Sequence, residues 1–203
     1  PKSLTAACGV DALTHCIEAY TVQLHQPITD ALALKGLSMI AENLEKAYEN
    51  GEDREARRNM MIASTIGGMA FISSNVGAVH AFAETVGAWF DTPHGVANSL
   101  FLPYIMEFNI PACPERFADI ADAMGIEREE SMSDEQYALK AVEYVKALNR
   151  KLNIPTIKEI KGITEERFEA IAERSANNVL SNDNARKITK EDYLELLKKA
   201  YNE

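Results

Sequence analysis

Apolar residues recur at three- and four-residue spacings through most of the chain, while stretches that alternate with period two are scarce, so the pattern predicts an all-α fold. A first helix carries "GVDALTHCIEAY" and breaks at "HQP". "TDALALKGLSMIAENLEKAYENG" predicts the second, with Thr29 as N-cap and Gly51 just past its end. Asp53 opens a third through "REARRNMMIASTIGGMAF", whose closing run of small residues and Met predicts close backbone approach in the centre of the molecule.

"SSNVGAVHAFAETVGAWFDTPHGVANSLFLPYIMEFN" is the least polar stretch, and Asp91, Thr92 and Pro93 interrupt it. Thr92 as N-cap and Pro93 at the first helical position would restart a helix there. From about Cys113 the texture changes to shorter, more charged amphipathic segments. Ser133, Thr164 and Thr189 are the caps expected for three of them, and Pro155 follows the end of another. No repeat of fixed period and no low-complexity linker divides the chain, so one helical domain over residues 1–203 is expected.

Composition narrows the function classes. With 203 residues and 46% hydrophobic content the chain is long enough to bury a sizeable core. A formal charge of -10 repels phosphate backbones, and no Lys/Arg cluster offsets it, so nucleic acid is not an expected partner. Three cysteines without C-x-x-C spacing suggest neither a disulfide framework nor a thiolate zinc site, and a reducing cytoplasm fits best. No apolar run reaches the roughly 18 residues needed to span a bilayer, so neither membrane insertion nor secretion is expected. Pro1 stands where a methionine usually would, and helical pattern follows at once, which hints at a piece of something longer.

The chemistry-bearing residues are few. Asp11 and His15 lie at i and i+4, on one helix face, and can point at one ion. Of the other histidines, His25 sits in a polar turn beside Pro27 and is expected on the surface. His80 and His94 lie in the apolar stretch, where an imidazole needs a partner. In one straight helix they would stand about 21 Å apart. A chain reversal between Trp89 and Pro93 removes that objection, and both could then reach a common ion at bonds of about 2.0–2.2 Å. The alternative at each position is an imidazole bonded only to a protein neighbour. Glu84, one turn after His80, is open to three roles: ligand, acceptor behind a ligand, or carboxylate on a water-lined cleft.

"GVDALTHCIEAY", "GGMAFISSNVGAVHAFAETVGAWFDTPHGVANSLFLPY" and "NDNARKITKEDYLELLKKA" together resemble the iron-containing, group III alcohol dehydrogenases. The likeness is to their C-terminal helical domain, half of a dehydroquinate synthase-like two-domain enzyme, and covers essentially the whole chain. It implies that Asp11, His15, His80 and His94 hold the catalytic divalent metal, Fe2+ or in some members Zn2+. It implies NAD or NADP as cofactor, a small alcohol and its aldehyde or ketone as substrates, and a homo-oligomer in the full-length form.

The family's N-terminal nucleotide-binding domain has no counterpart in these residues, so the isolated chain is expected to bind metal without turning over substrate. Many members carry a second histidine where this sequence has Glu84, which changes the proton route the resemblance would otherwise imply. Phe71, nine residues before His80, matches an aromatic of the substrate cleft, and Phe90 is a second candidate for its lining. Cys16, beside His15, is a candidate for oxidative damage accompanying loss of iron. Two other function classes stay open: a metal-dependent hydrolase or lyase using Glu84 as base, and a helical interaction module with structural histidines.

Overall fold

Nine α-helices and no strand make up the computed structural model, which describes every residue from Pro1 to Glu203. They are α1 (Lys2–Thr21), α2 (Pro27–Glu49), α3 (Arg54–Ser74), α4 (Ala78–Phe90), α5 (His94–Asn109), α6 (Pro114–Ala123), α7 (Asp134–Lys151), α8 (Phe168–Ala176) and α9 (Lys190–Asn202). Helices α1, α2 and α3 pack together, α4 and α5 form a hairpin against α1, α7, α8 and α9 close the far side of that hairpin, and α6 packs between α7 and the α1–α2 pair. One continuous core of 49 buried residues runs through all of this. No single helix is long and apolar enough to cross a bilayer.

Local chemistry explains where the helices begin and end, with three departures from the sequence expectations. Helix α2 starts three residues earlier than an N-cap at Thr29 implies, because Pro27 has its φ preset for the first helical position and no N–H to satisfy. Gln26 is the N-cap and accepts from Ile28 N, while Thr29 Oγ1 accepts in return from Gln26 N at 3.1 Å. Thr29 is thus the far member of a capping box. Thr92 does not cap α5: that helix begins at His94, after Pro93, and the Thr92 hydroxyl is buried without a partner. The chain reverses through Asp91 at φ 50°, which leaves Thr92 away from the first N–H groups of α5. Thr164 precedes only a short 3-10 turn and makes no side-chain cap, whereas Asp53, Ser133 and Thr189 cap their helices as expected.

Helix α3 is central along one stripe only. Ala56, Ala63, Gly67, Ala70 and Ser74 are buried, but Met61, Met69 and Ile72 on the other side are exposed. The small residues do allow the close approach expected of them: a Cβ on Gly67 would stand 3.0 Å from Cys16 Sγ and 3.5 Å from the Ala12 carbonyl oxygen of α1. Asn75, at φ 73°, then ends α3 and turns the chain by 106° into α4.

The α4–α5 hairpin is fixed at its middle by aromatic stacking and at its ends by amides. Phe82 stacks on Phe101 with centroids 3.8 Å apart, and Tyr193 of α9 lies against Phe101 at 6.2 Å. Asn109 and Asn184 exchange two side-chain hydrogen bonds, at 2.7 and 3.0 Å, in a buried setting that satisfies both amides. Gln23, beyond the end of α1, donates to the Asn184 carbonyl at 2.9 Å. Asn184 Oδ1 also accepts the Ala78 N–H at 3.4 Å, which ties the start of α4 to the segment before α9.

Candidate metal centre

Helix α1 presents Asp11, His15 and Glu18 at i, i+4 and i+7, one stripe of a 3.6-residue helix. The stripe faces the first turn of α4, where His80 is the third residue, and the first residue of α5, His94. The reversal at Asp91 brings those two helix ends to the same place, as the sequence required. Donor atoms of Asp11, His15, His80 and His94 all lie within 4.8 Å of one another. Four donors bonded tetrahedrally to one ion at about 2.1 Å stand about 3.4 Å apart, so closing this set on a divalent ion draws its widest pair together by roughly an ångström or more. One oxygen and three nitrogen donors suit Fe2+ and Zn2+ alike.

Close packing makes the convergence possible. At Gly95 a Cβ would stand 2.1 Å from the Ala7 carbonyl oxygen and 3.2 Å from Asp11 Cβ, so only glycine lets α5 enter this near to α1. Asp11 Oδ1 consequently stands 3.5 Å from His94 Nε2 and 3.9 Å from His80 Nε2, while Oδ2 stands 3.9 Å from His15 Nδ1. His15 stacks between two rings, Phe71 at 4.4 Å and His80 at 4.7 Å. His94 is the open member, with its side chain 49% exposed against 5% for His80.

Glu18 went unnoticed in the sequence, although its i+7 relation to Asp11 was available as a signal. Its side chain is almost fully buried, and Oε2 stands 2.5 Å from His80 Nδ1. A carboxylate can only accept, so Nδ1 carries the proton and Nε2 presents its lone pair to the cradle. Oε1 accepts the N–H of Val79 at 2.8 Å. Helix α4 has no side-chain cap of its own, so Glu18 satisfies one of its orphan donors from α1 and lies at the positive end of its dipole.

The buried imidazole of His80 and the partly buried one of His15 are driven in opposite directions. Burial lowers His15 to about 4, outweighing the attraction of Asp11, and the neighbouring imidazoles push the same way. Burial also works to lower His80, but the hydrogen bond and charge of Glu18, with Asp11 and Glu84 adding, outweigh it and leave that imidazole raised.

The other sequence candidates fall outside the four-donor group. Glu84 lies one turn along α4 from His80, exposed, and accepts from Asn178 Nδ2 at 2.6 Å. Phe71 contributes its ring to the face of His15. Phe90 is turned to packing instead: it lies against the Gly162 turn, with the Arg167 guanidinium 5.9 Å from its ring centroid. His25 is on the surface as expected, 3.4 Å from Asp30. Cys16 is fully buried, and burial pushes its thiol up to about 12. The thiolate that would oxidise is therefore suppressed, which corrects the expectation of damage at this cysteine.

Comparison with known proteins identifies the family. The profile of the Fe-containing alcohol dehydrogenase family, C-terminal part, matches residues 5–201. Alcohol dehydrogenase 4 of Saccharomyces cerevisiae is 42% identical over 204 residues, spanning 99% of this chain and 51% of that protein. The 1,3-propanediol dehydrogenase of Citrobacter freundii is 39% identical, over 99% of this chain and 52% of its own length. Among solved structures, an alcohol dehydrogenase from Oenococcus oeni superposes with a TM-score of 0.95 at 40% identity, over 99% of this chain and 52% of its own. The chain thus spans about half the length of the relatives it matches.

Proposed function

Since the chain belongs to the Fe-containing alcohol dehydrogenase family, as its C-terminal part, we propose that it is the metal-binding portion of an NAD(P)-dependent enzyme interconverting a small alcohol and its aldehyde or ketone. The observation that carries this reading is the convergence of Asp11, His15, His80 and His94 from three helices onto one point. When bound there, Fe2+ or Zn2+ supplies Lewis acidity to a substrate oxygen. Hydride exchange is the chemistry of the nicotinamide, held by the part of the full-length protein outside these 203 residues.

The chain's own residues have separable tasks. Asp11 would offset the ion's charge, and His15 and His80 would hold it from the less exposed side. Glu18 fixes the tautomer of His80 and adds negative charge behind it, which strengthens the imidazole as a donor. His94, at the exposed edge, completes the set next to solvent and substrate. Phe71 stacks on His15, keeps that ring in plane and offers an apolar wall to a small substrate. Glu84, held by Asn178, would take up or deliver the hydroxyl proton through water, in the position where the family resemblance implies a histidine in many members.

The test is an assay of the full-length protein, loaded with Fe2+ or Zn2+ under reducing conditions, for alcohol-dependent NAD(P)H formation. Glu84→Gln is expected to lower kcat. Ester or phosphate hydrolysis without nucleotide reduction would replace this reading with that of a hydrolase. A protein that takes up no metal would leave the histidines structural.

A further inference from the structure

A fifth side chain enters the cradle. Asn98 is on α5, one turn after His94, and is fully buried. Its Nδ2 stands 2.6 Å from Asp11 Oδ1 and 3.2 Å from both His80 Nε2 and His94 Nε2. An amide nitrogen has two hydrogens and cannot serve three acceptors at once. The short contact is the one to a carboxylate and is charge-assisted, so it is the bond that persists. The two imidazole nitrogens keep their lone pairs for the space they share.

The other end of the same amide argues against a packing role. Asn98 Oδ1 is buried with no hydrogen-bond partner. An apolar side chain of similar size would fill this place without that cost. What the amide gains in exchange is its single strong contact with Asp11.

Resting on the metal-site reading above, we propose that Asn98 is a positioning residue of the metal centre. It occupies one lone pair of Asp11 Oδ1, which holds the carboxylate to binding through a single oxygen. Its amide also covers the α5 side of the cradle, so no additional water reaches the ion from there. Both effects keep the coordination number low and direct the open position toward the exposed edge beside His94.

Cobalt(II) tests this in the full-length protein, because four-coordinate cobalt absorbs visible light far more strongly than six-coordinate cobalt. Wild type is expected to show strong absorption. Asn98→Ala loses both the hydrogen bond and the cover: absorption weakens and moves to shorter wavelength, and affinity in a chelator competition falls by about tenfold, as for other residues that support metal ligands. Asn98→Leu restores the cover alone, so its absorption falls less than that of the alanine variant while its affinity shows the same loss. Should the alanine variant fail to fold, the leucine variant carries the test through its affinity. Unchanged affinity in the variants overturns the proposal while leaving the metal site intact, and a wild type that binds no cobalt overturns both.

Discussion

Glu18 on α1 and His80 on α4, 62 positions apart in sequence, meet at 2.5 Å with almost no exposure to water. Because the same carboxylate also accepts from Val79 N, it sets the position of the helix start and the tautomer of the imidazole together. Replacing Glu18 by Gln leaves one carbonyl oxygen for two donors. Metal affinity is expected to fall about 10–100-fold, measured by competition with a chromogenic chelator. Unchanged affinity would show that His80 needs no carboxylate behind it.

His94→Ala separates metal binding from folding. The side chain is 49% exposed and contributes little to the core, so the metal-free variant should unfold within about 0.5 kcal/mol of wild type. With ion at 100 times its Kd, wild type gains about 2.7 kcal/mol, and the variant should gain little. Denaturation with and without Zn2+ measures both quantities.

Two glycine-to-alanine substitutions should act in opposite directions. At Gly95 a Cβ meets the Ala7 backbone at 2.1 Å, which must push α5 from α1 at a cost of about 1–3 kcal/mol. At Gly68, on the open side of α3, nothing lies within 4 Å, and alanine should stabilise the helix by about 0.5–1 kcal/mol. Urea denaturation distinguishes them, and Gly95→Ala should also weaken metal binding by carrying His94 away from Asp11.

The pH dependence of the metal-free protein follows from His15. Its folded pKa, about 4, lies below its ordinary value of 6.5, so the folded state binds this proton less readily than the unfolded state. Its contribution to stability is fully present above 6.5 and is lost as pH falls toward 4. His80, raised instead, contributes below 6.5 and loses that contribution as pH rises through its folded pKa, so it does not confuse the acid window. His15→Gln should therefore flatten the stability slope between pH 6.5 and 4, measured by urea denaturation in steps of pH. An unaltered slope would show that His15 is not buried in its neutral form.

Much of this molecule was legible as pattern. Spacing of apolar residues marks the helices, and Asp53, Ser133 and Thr189 mark starts, because a cap is a relation among residues three apart. Thr29 and Thr92 misled for the same reason in reverse. Pro27 offered a better start two residues before Thr29, and the left-handed Asp91 moved Thr92 away from the helix it should have capped. Phe90 showed its apolar character but not its neighbour, since the Gly162 turn it packs against lies 72 positions away.

What can be known before folding is whatever is local: that the chain is helical, that Asp11 and His15 share a face, and that a break near Asp91 frees His80 and His94 from a single axis. Family resemblance extends this to a ligand set, because it carries the record of other folded chains. The supporting contacts belong to folding itself. Glu18 reaches His80 and Asn98 reaches Asp11 across gaps of 62 and 87 positions, through distances that the bare Gly95 permits. No periodicity encodes such pairs, for they exist only once helices remote in sequence are pressed into van der Waals contact.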